Sequence, residues 1–268
     1  MNNNSSVIRK VLFSVSSIVT VIAISVAFLV TTERADSVEK SVQQDIQTST
    51  ERVASGIHEF FRERSRVVTS LISDPFVNGW FENYQQRGAD ISADLGYQNV
   101  VKQFQAVSTQ DPTIKSVFYA PQATHEYFDI NGRYNDAEYF TNKRPWWSEA
   151  LQRDRLFITK PEIDANDKSI VTSIKSTVYG SNNQLLGVAG IDILSSEIKN
   201  KLIDNMQYQG LGFGFLFSQD GQIITFPDQQ DRLDMAELPK LSAVDSKYSD
   251  ANGFAQLMQA SQSNKQLL

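Results

Sequence analysis

The sequence predicts an α+β fold, in which one very long helix precedes an antiparallel sheet. Two observations lead to this prediction. Apolar residues recur at steps of three and four between residues 34 and 72, and neither proline nor glycine interrupts them before Gly56. From residue 114 onward, short runs rich in Val, Ile, Phe and Tyr alternate with clusters of Asn, Asp and Gly, which is typical of strands and tight turns.

The chain begins with a candidate membrane anchor. Residues 11–32 carry no charge, and a helix of about 22 residues is about 33 Å long, enough to cross a hydrocarbon core of about 30 Å. Arg9 and Lys10 precede this stretch and no acidic residue occurs before Glu33, which predicts that residues 1–10 stay in the cytoplasm. A cleaved signal peptide is the alternative, although such peptides usually have a shorter apolar region and a small-residue cleavage site.

Composition and charge exclude several classes of protein. The 268 residues include 25 Lys and Arg against 31 Asp and Glu, with no basic stripe, so we expect no nucleic-acid partner. Cysteine is absent, which fits an oxidising compartment such as a bacterial periplasm. With two histidines and no nucleophile or phosphate-binding motif, we predict no metal site, no cofactor and no enzymatic activity.

The predicted elements follow the long helix in order. Asp74-Pro75 ends that helix, which is expected to pack against its twin in a homodimer or against its own domain. Two shorter helices are predicted at 95–109 and 145–153, and strands at 114–120, 126–131, 156–163, 169–180 and 184–193. A helix through 195–206 and a hairpin around Asp220-Gly221 then open a second, smaller module.

One cluster of side chains points to ligand binding. Aromatic and charged residues occur within a short stretch, and acids follow on two predicted strands: Tyr139, Arg144, Trp146, Trp147, Glu162, Asp164 and Asp192. Indole faces attract ammonium groups, and carboxylates accept charge-assisted hydrogen bonds from them, which suits a small amine or amino acid. The structural alternative is an internal ion pair between Arg144 and Asp192, with the indoles in the core and the other acids solvated.

The order of these motifs resembles a known family. A membrane span, a long helix, Y-x4-R-P-W-W, P-E-x-D and a strand ending G-V-x-G-I-D-I are similar to the double Cache sensor domains of bacterial chemoreceptors and sensor kinases. The resemblance covers residues 10–228. It implies an extracytoplasmic sensor anchored in the inner membrane, with two PAS-like modules in the periplasm. The implied domains are 1–10 cytoplasmic, 11–32 transmembrane, 33–73 stalk helix, 74–200 distal ligand-binding module and 201–268 partial proximal module.

The resemblance also implies roles for the site residues. Arg144 and Trp146 would hold the acidic end of a ligand, and Asp164 and Asp192 its ammonium. In the amino-acid-binding members, tyrosines stand where this chain has Trp147 and Glu162. Since Glu162 adds a negative charge and Arg144 is the one counter-charge identified, the sequence favours an amine over an amino acid.

Other functions stay open on the sequence alone. An organic-acid sensor would rely on Arg144 and leave the acids structural, whereas a membrane-anchored scaffold would dimerise through the long helix without a ligand. We expect the chain to be the N-terminal part of a longer receptor, or a truncated one. Its output module could serve chemotaxis, a kinase or a cyclic-dinucleotide enzyme.

Overall fold

The computed structural model describes residues 3–164, 167–204, 214–217 and 223–225, without the side chains of residues 3–36, 223 and 225. Helix α1 runs over Asn3–Ile72. Contacts divide the chain into two compact units, Met1–Arg52 and Val53–Leu268. The first unit is helical from residue 3 onward, and its apolar side chains Val38 and Ile46 are exposed.

The predicted membrane span at 11–32 stays a prediction. Its backbone lies within α1, but its side chains lie outside the part of the chain that the structure describes. Among the residues that could be searched, no helix is long and apolar enough to cross a membrane.

The Asp74-Pro75 step ends one helix and starts another. The Asp74 carboxylate accepts hydrogen bonds from the backbone N–H groups of Phe76 and Val77 at 2.8 and 3.0 Å, which caps helix α2, Pro75–Asn83. Proline suits this position because the N–H groups in the first turn of a helix have no acceptor within the helix. The N–H that proline lacks is therefore not needed there. The sequence predicted the end of α1 but not the helix α2 that comes directly after it.

The second unit is built on one antiparallel sheet. Helix α3 covers Leu95–Gln110 and precedes strand β1, Ile114–Pro121. The other elements are β2 Phe128–Asp129, β3 Gly132–Arg133, a 3-10 turn Thr141–Lys143, α4 Pro145–Arg153, β4 Phe157–Ile158, β5 Glu162–Ile163, β6 Ile170–Tyr179 and β7 Leu185–Leu194. The strand order is β3-β2-β1-β7-β6-β4, and β5 also pairs with β6.

Most of the predicted elements are confirmed, with two strands shorter than expected. Both predicted short helices and the three long strands occur close to their predicted limits. The strand predicted at 156–163 is instead divided into β4 and β5 on either side of Lys160-Pro161, because proline has no N–H to donate to β6. The strand predicted at 126–131 is reduced to β2.

The sheet separates two sets of apolar side chains. Val117 and Tyr119 of β1 face the main core with α2 and α3, where the rings of Tyr119 and Phe81 stack at 3.8 Å. Successive strand residues point to opposite faces, so Ala120 lies in a smaller cluster on the other side, together with Trp147 of α4. This second face carries the candidate site.

A glycine in β7 keeps the central strands close together. A Cβ atom added to Gly187 would collide with the carbonyl oxygen of Ala120 in β1. We expect Gly187→Ala to lower the free energy of unfolding by about 1–3 kcal/mol, because the strands must shift apart to accept the methyl group. Urea unfolding followed by circular dichroism measures this change.

The matched control for this prediction is a helical glycine. A Cβ atom on Gly79 in α2 would meet nothing within 4 Å, and alanine is the better helix former. Gly79→Ala is therefore expected to leave stability unchanged or to raise it. Equal destabilisation by both substitutions would contradict the strand argument.

The chain after β7 is described only in part. Helix α5, Ser195–Ile198, continues into one π-helical turn, Lys199–Ile203, whereas residues 205–213 lie outside the described part. Strands β8, Leu216–Phe217, and β9, Ile223–Thr225, pair antiparallel as the predicted hairpin requires, but the Asp220-Gly221 turn is not among the described residues. The predicted domain limits stay predictions.

Candidate ligand-binding site

A cavity of about 250 Å³ opens on the face of the sheet that carries α4. Drug-sized ligands occupy pockets of about 300–1,000 Å³, so this volume suits a molecule of amino-acid size. Six of the seven residues predicted as a site line it: Tyr139, Arg144, Trp146, Glu162, Asp164 and Asp192. The structure brings these six together, and their role in binding remains a proposal.

Local structure around α4 positions Arg144 and Trp146. Arg144 has an extended backbone and is the residue before Pro145, which begins the helix. The Arg144 guanidinium carbon lies 5.3 Å from the centroid of the Tyr139 ring. Trp146 lies on the first turn, where its indole meets the ring of Phe118 at 5.9 Å. The Arg-Pro-Trp segment therefore forms one wall of the cavity.

Trp147 does not reach the cavity, contrary to the expectation that both indoles form its wall. Neighbouring helical residues point about 100° apart, so Trp147 turns toward the sheet and is 4% exposed. It packs with Ala150, Phe157 and Val188, and its ring meets His125 edge-on at 5.3 Å. Trp147 thus packs α4 onto the sheet. The tyrosine that the resemblance leads us to expect at this position carries a hydroxyl and would be less apolar.

Asp192 lies on the floor of the cavity. The register of β6 and β7 places it opposite Ser173, whose hydroxyl donates a hydrogen bond of 2.5 Å to its carboxylate. Burial raises the pKa of Asp192, although Lys175 and the Ser173 hydrogen bond act to lower it. In the described part of the chain, no ion pair joins Asp192 to Arg144, the pair that the structural alternative required.

Asp164 is already engaged in a small ionic cluster. Lys115 of β1 donates hydrogen bonds to Asp164 at 2.6 Å and to Asp167 at 2.7 Å. Lys115 also donates to the Ser169 hydroxyl at 2.9 Å. Glu162 precedes Asp164 by two residues, and both line the cavity as strand alternation predicted.

Lys175 is the most informative residue that the sequence reasoning missed. It follows Ser173 by two residues on β6 and so lines the same face, with its ammonium 5.1 Å from the Trp146 ring centroid. It is 3% exposed, and burial lowers its pKa, an effect that Glu162 and Asp192 oppose. A lysine within an otherwise apolar and hydroxylic strand, VTSIKSTV, was the signal that could have revealed it.

The charged groups that line the cavity are of both signs. The carboxylates of Glu162, Asp164 and Asp192 line it together with the cations of Arg144 and Lys175, and Lys175 interacts electrostatically with Glu162 and Asp192. Uncharged side chains complete the lining: Phe118, Tyr127, Tyr134, Ile163, Val171 and Ser173. Burial raises the pKa of Tyr127 and of Tyr139, so both phenols stay neutral at physiological pH.

The charge count behind the amine prediction was incomplete. Three carboxylates line the cavity, but Arg144 and Lys175 line it as well and Lys115 bonds to Asp164. Asp167 shares Lys115 with Asp164, so the site with its immediate ion pairs has four carboxylates against three cations and a net charge of about −1. Within the described residues, no group of three or more His, Cys, Asp or Glu side chains is arranged to hold a metal ion.

Comparisons with known proteins match this fold and this module. A family model described as "Methyl-accepting chemotaxis protein-like, first PDC sensor domain" matches residues 81–200. The methyl-accepting chemotaxis protein PscA of Pseudomonas syringae pv. tomato is 26% identical over 223 residues, 83% of this chain and 32% of that protein. PctB of Pseudomonas aeruginosa is 32% identical over 93 residues, 35% of this chain and 14% of that protein. The chain thus spans about a third of the length of PscA.

Solved structures share the fold. The ligand-binding domain of the amino-acid chemoreceptor PctC of Pseudomonas aeruginosa, in complex with GABA, aligns with a TM-score of 0.51 and 24% identity over 71% of this chain and 76% of that one. The ligand-binding domain of the chemoreceptor Tlp3 of Campylobacter jejuni, in complex with L-norvaline, aligns with a TM-score of 0.54 and 16% identity over 74% of each chain. The predicted resemblance to chemoreceptor sensor domains is confirmed, since residues 81–200 match the model of the methyl-accepting chemotaxis protein-like first PDC sensor domain.

Proposed function

We propose that this chain is the extracytoplasmic sensing region of a bacterial chemoreceptor, and that its cavity binds a free amino acid. One observation carries this proposal: carboxylates and cations line the same cavity. Amino acids carry an ammonium and a carboxylate at neutral pH, so a zwitterion can pair with both kinds of group at once. An amine pairs with the carboxylates alone.

The orientation of the ligand follows from the positions of the charges. The ammonium would lie between Asp164 and Asp192, which offer carboxylate oxygens at the edge and floor of the cavity. The carboxylate would lie against Arg144, whose planar guanidinium can donate two parallel hydrogen bonds, with the Trp146 indole beside it. Each end is then held by a charge-assisted hydrogen bond.

Structural relatives support this choice of ligand class. PctC is in complex with GABA, PctB of Pseudomonas aeruginosa with L-Arg, and CtaA of Pseudomonas fluorescens with L-isoleucine. These ligands differ widely in size and side-chain charge but share an ammonium and a carboxylate. The relatives therefore favour an amino acid without indicating which one.

A receptor role also requires that ligand binding shifts the equilibrium between two conformations of the protein. We infer that ligand closure around α4 shifts the sensor module relative to the rest of the receptor, in a homodimer formed through α1 in the inner membrane. The exposed Val38 and Ile46 of the first unit offer apolar surface for that dimer. A coupling free energy of about 1–3 kcal/mol is enough for such a switch.

A thermal-shift screen tests the proposed function. The purified chain would be heated with single amino acids, with the amines that lack their carboxylates, and with organic acids that lack their ammoniums. We expect amino acids alone to raise the midpoint of unfolding. Stabilisation by amines would support an amine sensor, stabilisation by organic acids would support the acid sensor, and no response to any class would support the scaffold.

Amino-acid affinity should depend on pH through Asp192. Its carboxylate must be ionised to hold the ammonium, and burial raises its pKa above the usual value. As pH falls toward this raised pKa, Asp192 takes up a proton and we expect affinity to fall. The unligated protein should not lose stability through this group, because protonation removes the cost of the buried charge.

Calorimetric titrations between pH 8 and pH 5 check this dependence, and Asp192→Asn provides the control. The charged groups around Asp192 are Lys175 of β6, Asp164 after β5 and Lys115 of β1. The variant should bind weakly with little pH dependence over the same range. Affinity that rises on acidification in the unmodified chain would contradict the assignment of the ammonium to Asp192.

A further inference from the structure

The ammonium of Lys175 is buried in the wall of the cavity without a direct acceptor. The residue is 3% exposed. Among the described residues, no hydrogen bond or ion pair holds its Nζ atom, and the residue lines the cavity. Its described neighbours are the rings of Trp146 at 5.1 Å and Phe118 at 6.0 Å.

Burying an ammonium without a hydrogen-bonded acceptor costs folding free energy. The nearby acids reduce this cost by electrostatic attraction but do not bond to the ammonium directly. Asp192 is hydrogen-bonded to Ser173, and Glu162 is exposed at the rim of the cavity. Both attract Lys175 electrostatically. An anionic group that enters the cavity could therefore form a close ion pair with the Lys175 ammonium.

Two cations in the lining of one cavity can pair with two anionic groups. Under the proposed function, the α-carboxylate of the ligand lies against Arg144, which is exposed at the start of α4. Lys175 lies on β6 and is buried, with its ammonium 5.1 Å from the Trp146 ring centroid. A ligand whose α-carboxylate is held at Arg144 thus leaves Lys175 available to a second carboxylate in the same cavity.

We propose that Lys175 is a specificity residue that selects an amino acid with a second carboxylate in its side chain, of the aspartate and glutamate class. This proposal rests on the proposed function and deepens it. A ligand with one net negative charge would place its second carboxylate beside the Lys175 ammonium, which has no hydrogen-bonded acceptor among the described residues. A carboxamide of the same shape offers Lys175 a hydrogen bond but no charge.

Isothermal titration calorimetry with isosteric pairs tests this proposal. Glutamate and glutamine, and aspartate and asparagine, would be titrated into the purified chain and into Lys175→Met. We expect each acid to bind at least 10-fold more tightly than its amide in the unmodified chain. In Lys175→Met, affinity for the acids should fall at least 10-fold while affinity for the amides changes less than 3-fold.

Two further variants separate a binding role from a structural one. Lys102→Met removes an exposed lysine on α3, outside the cavity, and should leave every affinity unchanged. Lys175→Gln keeps a polar group at the position, and it replaces Lys175→Met if circular dichroism shows that the methionine variant does not fold. It too should lose the preference for acids.

The outcomes distinguish this inference from the function on which it rests. Amides that bind as tightly as acids in the unmodified chain would overturn the role of Lys175 and leave an amino-acid sensor. Equal weakening of acids and amides in the variants would also overturn it, because Lys175 would then hold the α-carboxylate. If amino acids of no kind bind, the proposed function fails and this inference fails with it.

Discussion

Replacing Asp192 with alanine should abolish amino-acid binding while the domain stays folded. The carboxylate is 9% exposed and faces the cavity, where it is the deepest acid available to the ligand's ammonium. Truncating one partner of a buried charge pair costs about 2–5 kcal/mol, so the affinity should fall about 30-fold or more. Calorimetry measures this loss.

We expect the Asp192→Ala variant to fold for a physical reason. In the unligated protein the cost of burying the Asp192 carboxylate opposes its attraction to Lys175 and its hydrogen bond from Ser173, so its removal should lower the thermal midpoint only modestly. Glu138→Ala removes an exposed acid outside the cavity and is the matched control for charge. Unchanged amino-acid affinity in a folded Asp192→Ala protein would contradict the proposed binding mode.

The largest loss of stability is expected from Arg64→Met. Arg64 lies on α1 and is 8% exposed, and its guanidinium contacts the Asp111 carboxylate at 2.8 Å. It also donates to the Thr113 hydroxyl at 2.7 Å and to the Phe60 carbonyl at 3.0 Å. Methionine can fill the space of the side-chain stem but can make none of these hydrogen bonds.

Loss of Arg64 leaves Asp111 without its cation. Breaking a fully buried pair costs about 3–5 kcal/mol, and because the Asp111 side chain is 31% exposed we expect a smaller loss of about 2–3 kcal/mol. Urea unfolding followed by tryptophan fluorescence measures this change. Arg62→Met is the control, since Arg62 is exposed and its removal should have no measurable effect. Equal effects of the two variants would contradict a structural role for the Arg64 network.

The long elements could be predicted from local patterns. The three- and four-residue repeat predicted the helix up to residue 72, and alternating runs predicted β1, β6 and β7. Helix α2 was missed because Asp74-Pro75 was interpreted only as the end of α1. The same two residues also begin α2, with Asp74 as its N-cap and Pro75 as its first residue. A local pattern indicates that a helix boundary is present but not whether a second helix starts there.

The sequence correctly grouped those cavity-lining residues that are close together in the chain or lie on the same face of one strand. Arg144 and Trp146 flank Pro145, and alternation placed Glu162 and Asp164 together. The direction of each indole depends on how α4 is rotated against the sheet, which the sequence does not give, so Trp147 was misplaced.

Lys175 was missed for a different physical reason. Its position in the cavity depends on the pairing of β6 with β7, which sets Ser173 opposite Asp192 and so places Lys175 beside them on the same face. Strand register is a long-range property, so the lysine in VTSIKSTV marked an unusual residue in the strand but not the residues that it lies beside. Lys115 was missed in the same way, since it reaches Asp164 from β1, at a separation of 49 residues.

The central claim is that the cavity binds both ends of an amino acid. It is tested most directly by calorimetric titration of the tightest-binding amino acid together with two analogues, the amine without its α-carboxylate and the acid without its α-ammonium. We predict that the amino acid binds at least 100-fold more tightly than either analogue. An amine that binds as tightly as the amino acid would show that Arg144 and Lys175 do not hold a ligand carboxylate, and would contradict the account.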